Sequence, residues 1–213
     1  MKVSLVSIIY NTGDDPLVLS RINDAFGSIE ECGIEGELIL IDNSPEPSVR
    51  VEAFCTSWSG KYHWCQGYNT YVSGAWQLAL DRYCTGDIFV YVCPAHGRML
   101  DPTWIVDITN PFTAPQNAAA GDVRPCCYKC VAAVPEDIRD PQIHVQGAVA
   151  AYRVDAIRKV GGFGYRFPFE YSDVDISRRL LHGGYQLVHI PTIASVASGV
   201  VKNRGYKYIH DYS

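Results

Sequence analysis

Hydrophobic positions in this chain come in short dense runs separated by longer amphipathic stretches. Val3 to Tyr10 is almost uninterruptedly apolar, as a strand covered on both faces requires. Asp15 then stands ready to cap a helix with Pro16 in its first position, and Val18, Ile22, Ala25, Phe26 and Ile29 share one face until Gly33. Glu37 to Asp42 predicts a second strand. A helix over 49–58 follows a proline-containing turn, then a short strand over Lys61 to Trp64 and a helix over 71–83 with Val72, Ala75, Trp76 and Ala79 inward. Asp87 to Cys93 is again a near-continuous apolar strand. Pro102 opens a helix to about Asn110, Ala118 to Val123 is strand-like, and 124–142, rich in proline and cysteine, reads as loop. Gln146 to Arg153 resumes strand, 154–160 is a short helix, Ser172 to His182 a longer one, and Gln186 to Pro191 a last strand. Alternation of this kind predicts an α/β fold with a mostly parallel central sheet flanked by helices and a ligand site at the carboxyl ends of the strands. The polar residues at those ends are Tyr10-Asn11, Asp42-Asn43 and Cys93-Pro94-Ala95-His96.

Composition narrows the class. At 213 residues, 47% hydrophobic and 19% charged, the chain holds enough apolar surface for one sizeable core, and a single compact domain is expected. A net charge of −5 without a basic run argues against a nucleic-acid partner. The apolar run at the amino terminus is short and is followed by Asn11-Thr12-Gly13-Asp14-Asp15, so it reads as a buried strand and not as a leader. No apolar stretch reaches the 18 or so residues of a membrane helix. A cytoplasmic protein with no transmembrane segment is expected. The eight cysteines are scattered through apolar segments and read mostly as buried free thiols. Cys127-Tyr128-Lys129-Cys130 lacks the second pair that structural zinc needs, and it does not open a helix after a strand as a thioredoxin-like site does.

The densest chemistry lies at 161–185, where a Gly- and aromatic-rich loop delivers two carboxylates into the first turn of a helix. Ser172 suits an N-cap, and Ser172-x-x-Asp175 resembles a capping box. Asp175 has Arg178 and Arg179 three and four residues on, within helical pairing reach. Asp173 lies about 200° away around the axis with no basic residue at that spacing. Asp173 is therefore the carboxylate assigned to chemistry, Asp175 the one assigned to the helix.

These segments resemble family 2 glycosyltransferases of the GT-A fold, rhamnosyltransferase-like members in particular. The resemblance runs through Val6-Ser7-Ile8-Ile9-Tyr10-Asn11, Leu38-Ile39-Leu40-Ile41-Asp42-Asn43-Ser44, Gly67-Tyr68-Asn69 with Gly74, Val160-Gly161-Gly162-Phe163, Tyr171-Ser172-Asp173-Val174-Asp175-Ile176 and Gly184-Tyr185-Gln186-Leu187. It implies one GT-A domain over 1–213, with a nucleotide-binding half of about 1–100 and an acceptor and catalytic half of about 101–213. It is also compatible with this chain being the amino-terminal domain of a longer, virus-encoded enzyme.

The resemblance implies that Tyr10, Asn11, Asp42, Asn43, Asn69, Cys93 and Pro94 line a nucleotide-sugar site, with a UDP-linked donor favoured over a dTDP-linked one. An aromatic stacking face and a strand-end carboxylate suit that task, although Asp42-Asn43-Ser44-Pro45 is equally a good turn. It further implies inverting transfer of a hexose to a glycan hydroxyl, with Asp173 as general base. Phe163, Tyr165, Phe167, Phe169 and Tyr171 offer an acceptor platform. Where the family carries an Asp-x-Asp or Asn-Pro-Asp motif, this chain has Cys93-Pro94-Ala95-His96-Gly97, leaving His96 as the expected ligand for Mn²⁺, with Mg²⁺ the alternative. Glu before the catalytic Asp is replaced by Ser172, and the family's late His is missing near Ala197-Ser198-Gly199. A catalytically silent nucleotide-sugar-binding module and a nucleotidyltransferase are the alternatives. The second lacks a Gly-rich phosphate loop.

Overall fold

A computed structural model describes residues 1–13, 15–94, 97–99, 103–113, 125–130, 149–168, 171–190 and 194–196. In chain order these form β1 (Lys2–Ile9), α1 (Pro16–Glu31), β2 (Glu35–Asp42), α2 (Val49–Ser57), β3 (Lys61–Trp64), α3 (Tyr71–Arg82), β4 (Ile88–Val92), β5 (Gly97–Met99), α4 (Trp104–Thr113), β6 (Pro125–Cys130), β7 (Val149–Arg153), α5 (Val154–Lys159), α6 (Ser172–His182), β8 (Gln186–Ile190) and β9 (Ala194–Val196). Seven strands make one sheet in the order β3-β2-β1-β4-β7-β6-β8, while β5 and β9 pair separately. β3, β2, β1 and β4 run parallel, β7 is antiparallel to both neighbours, and β8 is parallel to β6.

Successive residues of each central strand feed opposite faces of the sheet, which is why these strands are apolar throughout. Leu38, Leu40, Val90 and Ala151 pack with α1, α2 and α4 on one side. Ile39, Ile41, Phe89 and Tyr152 pack with α3, α5 and α6 on the other. Asp15 caps α1 through its side chain, accepting from the Leu17 amide, with Pro16 beginning the helix as expected.

The structure corrects three expectations. Pro125–Cys130, expected as loop, is a strand pairing with both β7 and β8. Ser172 is the first residue of α6, not its cap. The cap position belongs to Tyr171, whose φ of 61 is left-handed and whose side chain makes no capping bond. Phe163 is a core residue, ringed by Trp76, Phe89 and Tyr152 at centroid distances of 5.1, 5.0 and 5.7 Å. The strand-like segment 118–123 lies outside the described residues.

The strand order locates the cleft. From β1 the chain moves outward to β2 and β3, then crosses back to place β4 on the other side of β1. That reversal makes β1/β4 the topological switch point, where open α/β sheets leave a crevice beyond the carboxyl ends.

Candidate nucleotide-sugar site

Beyond β1, Tyr10 is half-exposed and Asn11 turns into the left-handed region at φ 52, its amide donating to Ser44 Oγ at 2.9 Å. Asn43 donates its own amide to the Ile9 carbonyl at 2.8 Å, locking the ends of β1 and β2 together. Its side chain spans to the start of α3: Oδ1 accepts from the Thr70 hydroxyl at 2.8 Å and Nδ2 donates to the Tyr71 carbonyl at 3.2 Å. Asn69 completes this turn, its Oδ1 accepting from the Tyr71 amide at 2.8 Å.

Asp42 lies at the expected strand end but faces inward. It is fully buried, accepting from the Ser44 amide at 2.9 Å, the Tyr62 hydroxyl at 2.8 Å and the Ser48 amide at 3.3 Å. Burial, and then the hydrogen bond to Asp42, push the Tyr62 phenol above its ordinary range, so Tyr62 remains the donor in this pair. Asp42 thus shapes the β2–α2 turn from beneath, and Asn43 and Ser44 beside it are buried as well, bracing the turn to Asn11 and the start of α3.

On the other side of β1, Cys93 is half-buried and Pro94 buried. The Ser7 hydroxyl donates to the Val92 carbonyl and the Arg21 guanidinium to the Pro94 carbonyl, both at 2.8 Å. Arg21 was not among the expected site residues, yet the signal is in the sequence: it falls on the apolar face of α1 between Val18 and Ala25, where a cation needs a buried acceptor. His96, the expected metal ligand, lies outside the described residues. Among the described residues no group of three or more His, Cys, Asp or Glu side chains could hold a metal ion.

The segment 161–168 packs against α3 ahead of the helix that carries Asp173. Gly162, at φ 78, takes a conformation that side chains resist, and next to it the Phe163 amide donates to Gln77 Oε1 of α3 at 2.6 Å. Farther on, the Pro168 carbonyl accepts from the Val72 and Ser73 amides at 3.0 and 3.1 Å, filling the open first turn of α3. Asp173, half-buried in the first turn of α6, accepts from the Val174 amide at 2.8 Å. Asp175 pairs with Arg179 at 2.7 Å, and Arg179 donates to the Val160 and Gly162 carbonyls at 3.0 and 2.5 Å. The pairing expected from helix spacing therefore also clamps the glycine turn.

No protein-family model and no curated protein sequence matches the chain. Solved structures do. A mannosyltransferase from Pyrobaculum calidifontis, in complex with GDP-Man and Mn²⁺, superposes with a TM-score of 0.67 at 16% identity, covering 96% of this chain and 58% of that one. The chain has a GT-A glycosyltransferase fold. S. aureus TarS shares this GT-A fold at a TM-score of 0.65 and 10% identity, covering 91% of this chain and 59% of its own. So does glucosyl-3-phosphoglycerate synthase from Mycobacterium tuberculosis, in complex with Mn²⁺, UDP and phosphoglyceric acid, at 0.63 and 12%, covering 96% and 72%. The chain spans less than three-fifths of the first two structures. Among the described residues no helix is long and apolar enough to cross a membrane.

Proposed function

We propose that this GT-A chain transfers a hexose from a nucleotide-diphosphate sugar, UDP-linked in the favoured case, to a glycan hydroxyl with inversion, and that Asp173 is the general base. The observation that carries the proposal is a set of contacts that runs from the switch-point crevice to Pro168, five residues before the carboxylate of Asp173. Asn11 connects through Ser44 and Asn43 to the first turn of α3, and that turn holds the Pro168 carbonyl. Tyr10 supplies a stacking face for a base, and the exposed Asn11 and Asn69 supply polar groups for the ribose and phosphates, on turns that buried Asn43 braces.

Asp173 takes the proton from the acceptor oxygen as that oxygen attacks the anomeric carbon. The nucleoside diphosphate leaves from the opposite face. Holding both reactants against one rigid edge converts an encounter into an oriented step, to which general-base catalysis adds. The described residues do not by themselves make a divalent-cation site, so no step here is assigned to the metal. A Mn²⁺ ion held at His96 and the donor phosphates would offset charge on the leaving diphosphate.

The carboxylate-free end of β4 favours a second reading, a silent nucleotide-sugar-binding module. Incubating the protein with UDP-glucose, UDP-galactose and UDP-N-acetylglucosamine plus Mn²⁺ separates the two. With water standing in for the acceptor, hydrolysis of the donor to free sugar and UDP above the protein-free rate is expected of the transferase. Saturable UDP binding with no release from any donor would establish the silent module.

A further inference from the structure

Six of the ten large hydrophobic side chains exposed among the described residues are aromatics: Tyr10 and, on the α3 and 161–171 sides, Tyr68, Tyr71, Tyr165, Phe167 and Tyr171, at 75%, 47%, 69%, 38% and 62% exposure for the last five. Exposed aromatic surface at this density marks an interaction site. The five come from two segments that touch, since the Pro168 carbonyl seats on the Val72 and Ser73 amides and the Tyr165 ring lies against Gly74.

The backbones that carry two of these rings are also held before any ligand arrives. Tyr71 and Tyr171 each occupy the left-handed region, φ 56 and 61, at the start of α3 and α6, a conformation that costs a tyrosine energy and a glycine almost none. Tyr71 is pinned on both sides, by Asn69 on its amide and Asn43 on its carbonyl, and the Tyr171 carbonyl accepts from the Asp175 amide at 2.8 Å. Phe167 packs edge-on to Tyr171 at 6.4 Å, with the Arg166 guanidinium 5.7 Å from its ring centroid.

We infer that this double row of aromatics binds the acceptor as an oligosaccharide, more than one pyranose ring lying across the α3 side and the α6 side of the edge. The inference rests on the transferase reading above and deepens it by making the glycan acceptor an oligosaccharide read over more than one ring. Flat pyranose faces present C–H groups to ring faces, and four of the five rings are tyrosines whose hydroxyls add hydrogen bonds to sugar hydroxyls. A lipid surface suits the patch less well. Such sites pair aromatics with clustered Lys and Arg, whereas Asp173 and Asp175 adjoin this one and the chain carries a net charge of −5. Backbone already fixed under Tyr71 and Tyr171 loses little freedom on binding.

Titrating the protein with cellotriose, chitotriose and maltotriose, and with glucose and N-acetylglucosamine, by saturation-transfer NMR and calorimetry tests this. At least one trisaccharide should bind roughly tenfold or more tightly than its monosaccharide, and the Tyr71→Gly/Tyr171→Gly protein should lose about tenfold of that affinity. Because glycine accepts the left-handed backbone, the double variant should melt within about 5 °C of the parent. UDP affinity, measured in parallel, should hold within about threefold, as expected where the two ligands occupy separate subsites. The inference is overturned if no trisaccharide outbinds its monosaccharide, if the double variant binds trisaccharide like the parent, or if phosphatidylglycerol vesicles pull down the parent but not the variant. Trisaccharide binding with no UDP binding would instead overturn the donor assignment and leave the oligosaccharide site standing.

Discussion

The two edges of the central sheet are built on opposite principles. At the amino edge, Glu37 accepts from the Ser4 hydroxyl at 2.5 Å, the Thr85 amide and hydroxyl at 2.6 and 2.8 Å, and Lys61 Nζ at 3.0 Å. Burial pushes its carboxyl up, but these donors outweigh burial and hold it at about 2. Polar groups there are spent on one another. At the carboxyl edge, Asn11, Gln66, Tyr71 and Tyr171 sit in left-handed backbone, leaving Ser59 as the other non-glycine case among the described residues, and aromatic rings face solvent. One edge holds the sheet together, whereas the other stores strain and exposed surface that folding alone does not reward.

Substitutions at the two edges should therefore separate activity from stability. The largest effect is expected at Asp173. Asp173→Asn keeps the shape and removes the basic oxygen, so sugar transfer should fall by roughly 10²–10⁴ while donor affinity stays within a few-fold. Near-normal turnover, or loss of donor binding together with activity, would make Asp173 a binding or helix residue. At the opposite edge, Glu37→Gln should cost roughly 1–3 kcal/mol in chemical denaturation at neutral pH, with little effect on ligand affinity.

The same carboxylate sets a pH signature. With its folded value held at about 2 against an ordinary 4.5, Glu37 contributes in full above the ordinary value, and its contribution drains away as pH falls from there toward about 2. Melting curves of the parent should steepen their decline across that window and those of Glu37→Gln should decline less. Parallel curves would remove Glu37 from the account. The smallest effect is expected at Asp175. Asp175→Asn weakens the clamp on Arg179 and should cost about 1 kcal/mol, read by denaturant midpoint, with UDP affinity preserved.

What the sequence made legible follows from how local each signal is. β1, β2 and β4 announce themselves because strands covered on both faces must be apolar throughout, and α1 because Asp15-Pro16 caps and starts it. β6 stayed hidden because Pro-Cys-Cys-Tyr-Lys-Cys carries no period, and its place comes from pairing with β7 and β8, elements distant in sequence. Likewise the Asp175–Arg179 pair was visible as an i, i+4 spacing, whereas the inward turn of Asp42 was not. An Asp-Asn-Ser-Pro stretch looks the same facing either way, and what decides it here is Tyr62, twenty residues on. The seat of Pro168 on α3 spans 95 residues and left no trace in local pattern.

The central claim is that the carboxyl edge around Tyr10, Asn43 and Asn69 holds a nucleoside diphosphate. Calorimetric titration of UDP and GDP, each with and without Mn²⁺, tests it most directly, repeated on Tyr10→Ala. The account predicts that UDP binds with Mn²⁺ and more weakly without it, that GDP binds less tightly, and that Tyr10→Ala weakens UDP by roughly 1–3 kcal/mol through the lost stacking face. Binding that ignores both the metal and Tyr10, or GDP binding as tightly as UDP, would contradict it.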